Sequence, residues 1–120
     1  MPRVLVGFLL LFCLLGLTSE ARQERLQVTV TAYASGWITA SGRRPRPGMI
    51  ALSRDVERLL GVRFGDRVRL EGLGDYVFQD RMPWHWYRRV DLYLPSRQAA
   101  VQFGVRHAWL QRGARQADTS

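Results

Sequence analysis

Two stretches of the chain decide the fold: residues 53–63 read SRDVERLLGVR, and residues 96–106 read SRQAAVQFGVR. The second stretch lies 43 residues after the first, and the two agree at five of eleven positions. Each begins with a serine, a residue favoured at helix N-caps, and each reaches a glycine, which commonly ends a helix. The pattern predicts two short helices that occupy equivalent places in an internal repeat.

Short strand patterns surround both helices. Residues 26–34 alternate between apolar and polar side chains, which is typical of a half-buried strand. Further strands are predicted at residues 49–52, 67–71, 75–79, 89–94 and 105–110. Neither half can bury a core alone, and closing a sheet removes its exposed edges. We therefore predict an all-β fold with two short helices, in which six strands form a closed barrel with pseudo-twofold symmetry.

Composition excludes several classes of protein. The chain has 120 residues and a net charge of +8, with 18 arginines and no lysine. This length allows one domain and excludes a doubly wound nucleotide-binding enzyme or a TIM barrel. The single cysteine, Cys13, excludes a disulfide framework and a thiolate zinc site. His85 and His107 lack a third imidazole or thiol partner, so we expect no metal and no other cofactor.

The N-terminus has the pattern of a secretory signal. Arg3 precedes an apolar run at residues 4–17, which is short for a membrane span, and Ser19-Glu20-Ala21 resembles a small-x-small cleavage site. We predict a signal peptide at residues 1–21, a barrel domain at 22–110 and a flexible tail at 111–120. An uncleaved N-terminal anchor is the alternative.

Export to the periplasm or cell envelope argues against nucleic acid as the partner of the many arginines. Such a basic protein would instead meet anionic envelope surfaces. We expect a monomer.

Two carboxylates stand out by position. Asp80 ends a predicted strand, and Asp91 lies inside the apolar strand VDLYL. Between them lies the aromatic cluster Trp84-His85-Trp86-Tyr87. Sugar rings stack on aromatic faces, and carboxylic acids protonate glycosidic oxygens, so this combination suits a glycan ligand. The alternative is that Asp91 faces water and the aromatic side chains plug one end of the barrel.

The chain also resembles a known family. Residues 74–80 (GDYVFQD), 89–94 (RVDLYL) and 103–105 (FGV) are similar to the 3D (three-aspartate) domain, as in the C-terminal part of membrane-bound lytic transglycosylase A and in stationary-phase resuscitation factors. The spacing of 11 between Asp80 and Asp91 matches the family's second and third aspartates. Residues 30–33, 39–42 and 49–52 add to the likeness, which extends from residue 28 to about 110.

The resemblance implies a double-psi β-barrel that cleaves the MurNAc–GlcNAc bond of peptidoglycan without water. It implies that Asp80 is the general acid and that Asp91 orients it or tunes its pKa. The expected substrate-binding residues are Trp84, Trp86 and Tyr87 of the aromatic cluster, together with Tyr33 and Thr39 of the motifs that resemble the family.

Two positions depart from the family pattern. Ser53 stands where the first aspartate is expected, with Asp55 two residues later, and residues 81–84 (RMPW) replace a glycine-rich stretch. These departures keep two alternatives open. One is a non-catalytic barrel that binds cell-wall glycan, and the other is a basic structural protein that adheres to anionic envelope polymers.

Overall fold

A computed structural model describes residues 24–36 and 38–114. Its strands and helices are, in chain order, β1 (Arg25–Tyr33), β2 (Met49–Leu52), α1 (Arg54–Leu60), β3 (Arg67–Leu70), β4 (Gly74–Arg81), β5 (Arg89–Tyr93), α2 (Arg97–Phe103) and β6 (Arg106–Arg112). The predicted signal peptide and residues 115–120 lie outside the described ranges. Within those ranges, no helix is both long enough and apolar enough to cross a membrane.

The six strands close into one barrel in the order β1-β5-β2-β4-β3-β6. Pairs β1–β5 and β2–β4 are parallel, and the other four pairs are antiparallel. The prediction of an all-β fold with a six-stranded barrel and two short helices is therefore confirmed.

The predicted pseudo-twofold repeat is visible in the strand pairing. If β1, β2 and β3 are exchanged with β4, β5 and β6, every pair of neighbours maps onto a pair of the same direction, and β2–β5 and β3–β6 each map onto themselves. The two helices also occupy equivalent places, because each connects the second and third strands of its half. The repeat in the sequence thus corresponds to a repeat in topology.

The core fills the barrel interior with side chains from all six strands. Its fully or nearly fully buried strand residues are Val28, Val30, Ile50, Leu52, Val68, Leu70, Phe78, Val90, Leu92 and Leu110. Helix α1 adds Val56 and Leu60, whereas α2 has no buried residue. Because side chains alternate along a strand, the residues between these core positions face the outside of the barrel.

The helix ends follow the predicted signals with one difference. Gly61 has φ 65° and ends α1 in the left-handed conformation, and the Ser96 hydroxyl accepts a hydrogen bond from the Ala99 N–H at the start of α2. Ser53 precedes α1 in extended conformation but caps nothing with its side chain. Its buried hydroxyl instead accepts a hydrogen bond of 3.1 Å from the Arg89 N–H, which ties α1 to β5.

The last strand is longer than predicted. β6 continues to Arg112, which pairs with Val68 of β3, and the Gly113 N–H donates to the Arg67 carbonyl. Residues 111 and 112 therefore belong to the barrel and not to the predicted tail, because β3 offers them ladder partners.

Candidate active site

Four residues on adjacent strands form one row across the outside of the barrel. Thr31 of β1 is in register with Asp91 of β5, which is in register with Ala51 of β2, which is in register with Asp80 of β4. Strands lie about 4.8 Å apart, so the two aspartate Cα atoms are separated by roughly 10 Å, with only the small Ala51 between them. We call these four residues the carboxylate row. The structure thus brings together the two acids singled out in the sequence.

A β-bulge places Asp80 in this row. Ile50 pairs with Phe78, but the next residue of β2, Ala51, pairs with Asp80, so Gln79 is an extra residue in β4. Bulges redirect side chains and are rare between parallel strands such as β2 and β4. Without the bulge, the residue opposite Ala51 would be Gln79. No local pattern in the sequence signals this register shift.

The Asp80 carboxylate is held by three donors. The Tyr33 hydroxyl donates to its Oδ2 at 3.2 Å, and the backbone N–H groups of Ala40 and Arg81 donate to its Oδ1 at 2.9 Å each. Ala40 belongs to the long β1–β2 loop, so this loop folds over the end of the carboxylate row. The hydrogen bonds fix the orientation of Asp80.

Asp91 has a different environment. It accepts one side-chain hydrogen bond, from the Thr31 hydroxyl at 3.0 Å. Burial raises the pKa of the Asp91 carboxyl, and the charge of Asp80 raises it further, which together outweigh the opposing effects of the Thr31 hydrogen bond and the Arg89 charge. Asp91 therefore keeps its proton to a higher pH than an ordinary aspartic acid does.

Tyr33 is hydrogen-bonded to Asp80 and lies close enough to Asp91 for the charge of Asp91 to affect its pKa. Burial raises the pKa of its hydroxyl, and the negative charges of Asp80 and Asp91 raise it further. Its ring packs edge-on against Tyr93 with 5.4 Å between the centroids. Because Tyr33 senses both carboxylates and stays protonated, it acts as a fixed hydrogen-bond donor to Asp80 rather than as a free sugar-stacking surface.

Residues 82–88, here called the aromatic loop, follow β4 and pass beside this site. The Arg89 guanidinium lies over the Trp86 indole at 4.1 Å from the ring centroid, and Arg89 is two residues from Asp91 on the same face of β5. Trp84 is 75% exposed and Tyr87 is 69% exposed. The alternative that the aromatic side chains plug the barrel is therefore wrong for these two, which project into solvent.

Thr39 does not offer its hydroxyl to a ligand. It is only 4% exposed, its hydroxyl lies 2.9 Å from that of Ser41, and it accepts a hydrogen bond from the Arg43 N–H. The assignment of Thr39 to the substrate-binding set is corrected on this ground. Its role is to hold the turn that presents the Ala40 N–H to Asp80.

Asp55 of α1 lies at the end of the aromatic loop. Its carboxylate accepts a hydrogen bond of 3.0 Å from the Arg88 N–H, and Arg88 has the left-handed φ of 50°. Burial acts to raise the pKa of Asp55, but hydrogen bonds from Ser53 and from backbone N–H groups outweigh it and lower the pKa. Asp55 is therefore a charged anchor for the end of the aromatic loop.

Sequence reasoning missed a second anchor. The Arg81 guanidinium donates two hydrogen bonds of 2.7 Å to the Glu57 carboxylate of α1, and it covers the Phe64 ring at 4.4 Å. Arg81 follows Asp80 directly, so this contact holds the bulged end of β4 against α1. The bidentate pairing depends on three-dimensional packing, and the separation of 24 residues carries no sequence signal.

The two histidines belong to no candidate metal site among the described residues. Within residues 24–36 and 38–114, no group of three or more His, Cys, Asp or Glu side chains is arranged to hold a metal ion. His85 lies in the aromatic loop, and His107 is exposed on β6.

The raised pKa of Asp91 predicts how stability depends on pH. The folded state holds the Asp91 proton more tightly than the unfolded chain does. The stabilising contribution of this carboxyl to the free energy of unfolding is therefore fully present below the unfolded pKa of about 3.9 and is lost as the pH rises through the folded pKa. We therefore expect Asp91→Asn to raise the free energy of unfolding at pH 7 and to leave it nearly unchanged at pH 3, measured by urea denaturation. In the exposed control Asp75→Asn, the change should stay within about 0.5 kcal/mol at both pH values. A less stable Asp91→Asn at pH 7 would contradict the buried-charge interpretation.

In comparisons with known proteins, no family model matches the chain, and no curated protein matches it either.

Proposed function

We propose that this protein is exported to the cell envelope and cleaves the MurNAc–GlcNAc bond of peptidoglycan by lytic transglycosylation, on a barrel of the double-psi type found in 3D domains. The observation that carries the proposal is the carboxylate row. Two aspartates from different strands lie on one outer face, separated by a single alanine, and Tyr33 donates a hydrogen bond to one of them, Asp80. An ordinary surface sheet has no need of a half-buried acid beside a carboxylate whose orientation is fixed by hydrogen bonds.

The environments of the two acids favour a division of roles that reverses the one implied by the family resemblance. Asp91 has a pKa that is raised, chiefly by burial, whereas Asp80 is bound by three donors that orient it. Asp91 is therefore the proton donor in this proposal, and the negative charge of Asp80 adds to the larger effect of burial on the pKa of Asp91. Pairs of carboxyl groups in unlike environments commonly divide the acid and base roles in this way.

The reaction needs no external reactant. Asp91 gives its proton to the glycosidic oxygen as the bond from that oxygen to C1 of MurNAc breaks. The C6 hydroxyl of the same sugar then bonds to C1, and its proton returns to the Asp91 carboxylate. The products are a 1,6-anhydro sugar and a free hydroxyl, and the aspartic acid is regenerated.

The aromatic loop supplies the surface for the glycan in this proposal. Trp86 lies beside the carboxylate row, and Trp84 and Tyr87 extend outward from it with free faces. Large exposed aromatic side chains are the groups expected to stack on sugar rings near the acids.

We expect Trp84→Ala to weaken binding of soluble peptidoglycan fragments roughly tenfold, because one stacking face is lost. Isothermal titration calorimetry would measure the change. Trp109→Ala is the matched control, since Trp109 is also partly exposed, at 41%, but lies on β6 under the Arg25 guanidinium. An equal loss of affinity in the two variants would mean that the aromatic loop is not part of the glycan-binding surface.

A non-catalytic glycan-binding barrel is the second candidate. The buried Ser53 favours it, because the position where the family has its first aspartate holds a hydroxyl that is engaged by the Arg89 N–H of β5 and by Asp55. Incubating the protein from Arg22 onward with purified peptidoglycan separates the two candidates. Release of 1,6-anhydromuropeptides, detected by mass spectrometry, supports cleavage, whereas binding without these products supports the second candidate. Binding that disappears between low and physiological salt would instead indicate adhesion through arginines.

A further inference from the structure

One cation beside the carboxylate row has no partner among the described residues. The Arg89 Nε–H is buried and donates to no acceptor among the described residues, and within those residues the side chain forms no ion pair within 4.0 Å. A buried donor without an acceptor is unfavourable, and the penalty is larger for a charged group. Arg89 therefore differs from Arg25, Arg69 and Arg81, each of which is paired with a carboxylate of the fold.

The position of Arg89 is set by its neighbours. The Arg89 guanidinium carbon lies over the Trp86 ring at 4.1 Å from its centroid, and the Arg89 N–H donates to the Ser53 hydroxyl. Arg89 and Asp91 are alternate residues of β5, so both side chains leave the same face of the strand. The positive charge is close enough to lower the pKa of Asp91, yet the two groups form no ion pair.

The proposed reaction leaves the charge of Arg89 less compensated. A general acid must be protonated, and a protonated Asp91 is neutral, so it supplies no negative charge near the Arg89 guanidinium. A planar guanidinium held on an aromatic ring is well suited to bind a carboxylate through two parallel hydrogen bonds.

We propose that Arg89, supported by Trp86, binds a carboxylate carried by the glycan next to the bond that is cleaved. The inference rests on the proposed function and extends it, since it makes the site selective for acidic over neutral amino-sugar chains. The carboxylate has two sources in peptidoglycan, the lactyl group of a peptide-free MurNAc and the stem peptide, and both present the same chemistry to Arg89.

The test compares three oligosaccharides of equal length by calorimetry: a neutral GlcNAc tetramer, a peptide-free GlcNAc–MurNAc tetramer and the same tetramer with stem peptides. The measurements use Asp91→Asn as the background, because its amide imitates the protonated acid and prevents turnover. We expect at least one acidic tetramer to bind about tenfold more tightly than the neutral one, as for one charge-assisted hydrogen-bonded pair. The preferred tetramer identifies the source of the carboxylate.

Adding Arg89→Gln should remove this preference and leave the affinity for the neutral tetramer unchanged. Arg89→Lys keeps the charge and should retain part of the preference, and Arg58→Gln, an exposed arginine on α1, should retain all of it. A preference that survives Arg89→Gln, or an equal loss of affinity for all three tetramers, overturns the inference.

The outcome is separable from that of the proposed function. Formation of anhydro products by the unaltered protein, together with equal binding of the three tetramers, refutes the anion subsite alone. A preference that depends on Arg89, without any anhydro product, supports the subsite on a protein that binds glycan and does not cleave it.

Discussion

Replacing Asp91 by asparagine is expected to slow the release of 1,6-anhydromuropeptides by roughly 10²- to 10⁴-fold, the usual contribution of a positioned general acid. The amide has nearly the same shape and can still accept the hydrogen bond from Thr31, so the barrel is retained while the proton is lost. Product formation from purified peptidoglycan, followed by mass spectrometry at equal protein concentrations, measures the effect.

The pH profile distinguishes Asp91 from Asp80. Activity of the unaltered protein should fall at high pH as Asp91 loses its proton. Because the charge of Asp80 helps to raise the pKa of Asp91, Asp80→Asn should shift this fall to lower pH. Both variants lose activity, but only Asp80→Asn should keep a fall in activity that reports the ionisation of Asp91.

Asp75→Asn is the matched control, since it lies on the same strand as Asp80 and its only ion pair among the described residues is with the exposed Arg69. It should keep the rate of the unaltered protein. If Asp91→Asn also kept that rate, Asp91 could not be the acid. If Asp80→Asn left the pH profile unchanged, the charge of Asp80 could not be raising the pKa of Asp91.

The helices could be predicted from the sequence because their signals are local. A serine before α1 and α2 and a glycine after each are read within about eight residues, and the structure has both helices where the repeat places them. The number of strands followed from alternation, and closure followed from the need to cover strand edges. The hydrogen bond that each capping serine makes could not be predicted from the sequence, because the Ser53 hydroxyl accepts from the Arg89 N–H, which is distant in sequence.

The geometry of the site depended on information that no local pattern holds. Asp80 and Asp91 could be selected as unusual acids, but their alignment needs the extra residue Gln79 in β4 and the pairing of both strands with β2. The Ala40 N–H that orients Asp80 comes from a loop whose path is set by tertiary contacts. The unpaired charge of Arg89 is likewise visible only when all its possible partners are in place.

Phe78→Ala is expected to lower the free energy of unfolding by about 3–5 kcal/mol, the largest stability effect that we predict for one substitution. Phe78 is completely buried, and its ring centroid lies 4.8 Å from that of Phe64. Its backbone N–H donates to the Asp66 carbonyl, and its carbonyl accepts from the Gly65 N–H, so the strand cannot easily move inward to fill the cavity. The loss would be a large fraction of the stability of a domain of this size.

Urea denaturation monitored by circular dichroism measures this loss, with Phe103→Ala as the control because Phe103 lies on α2 and is only partly buried. The control should lose about 1 kcal/mol. A loss of similar size for both variants would mean that Phe64 fills the space left by Phe78. Such a rearrangement would move the Arg81 guanidinium that covers Phe64, and with it the backbone N–H that Arg81 donates to Asp80. Activity should then fall even under conditions in which Phe78→Ala remains folded. The reason is that Phe64 and Arg81 connect the core under β4 to Asp80: Phe64 packs against Phe78, and Arg81 covers Phe64 and donates its backbone N–H to Asp80.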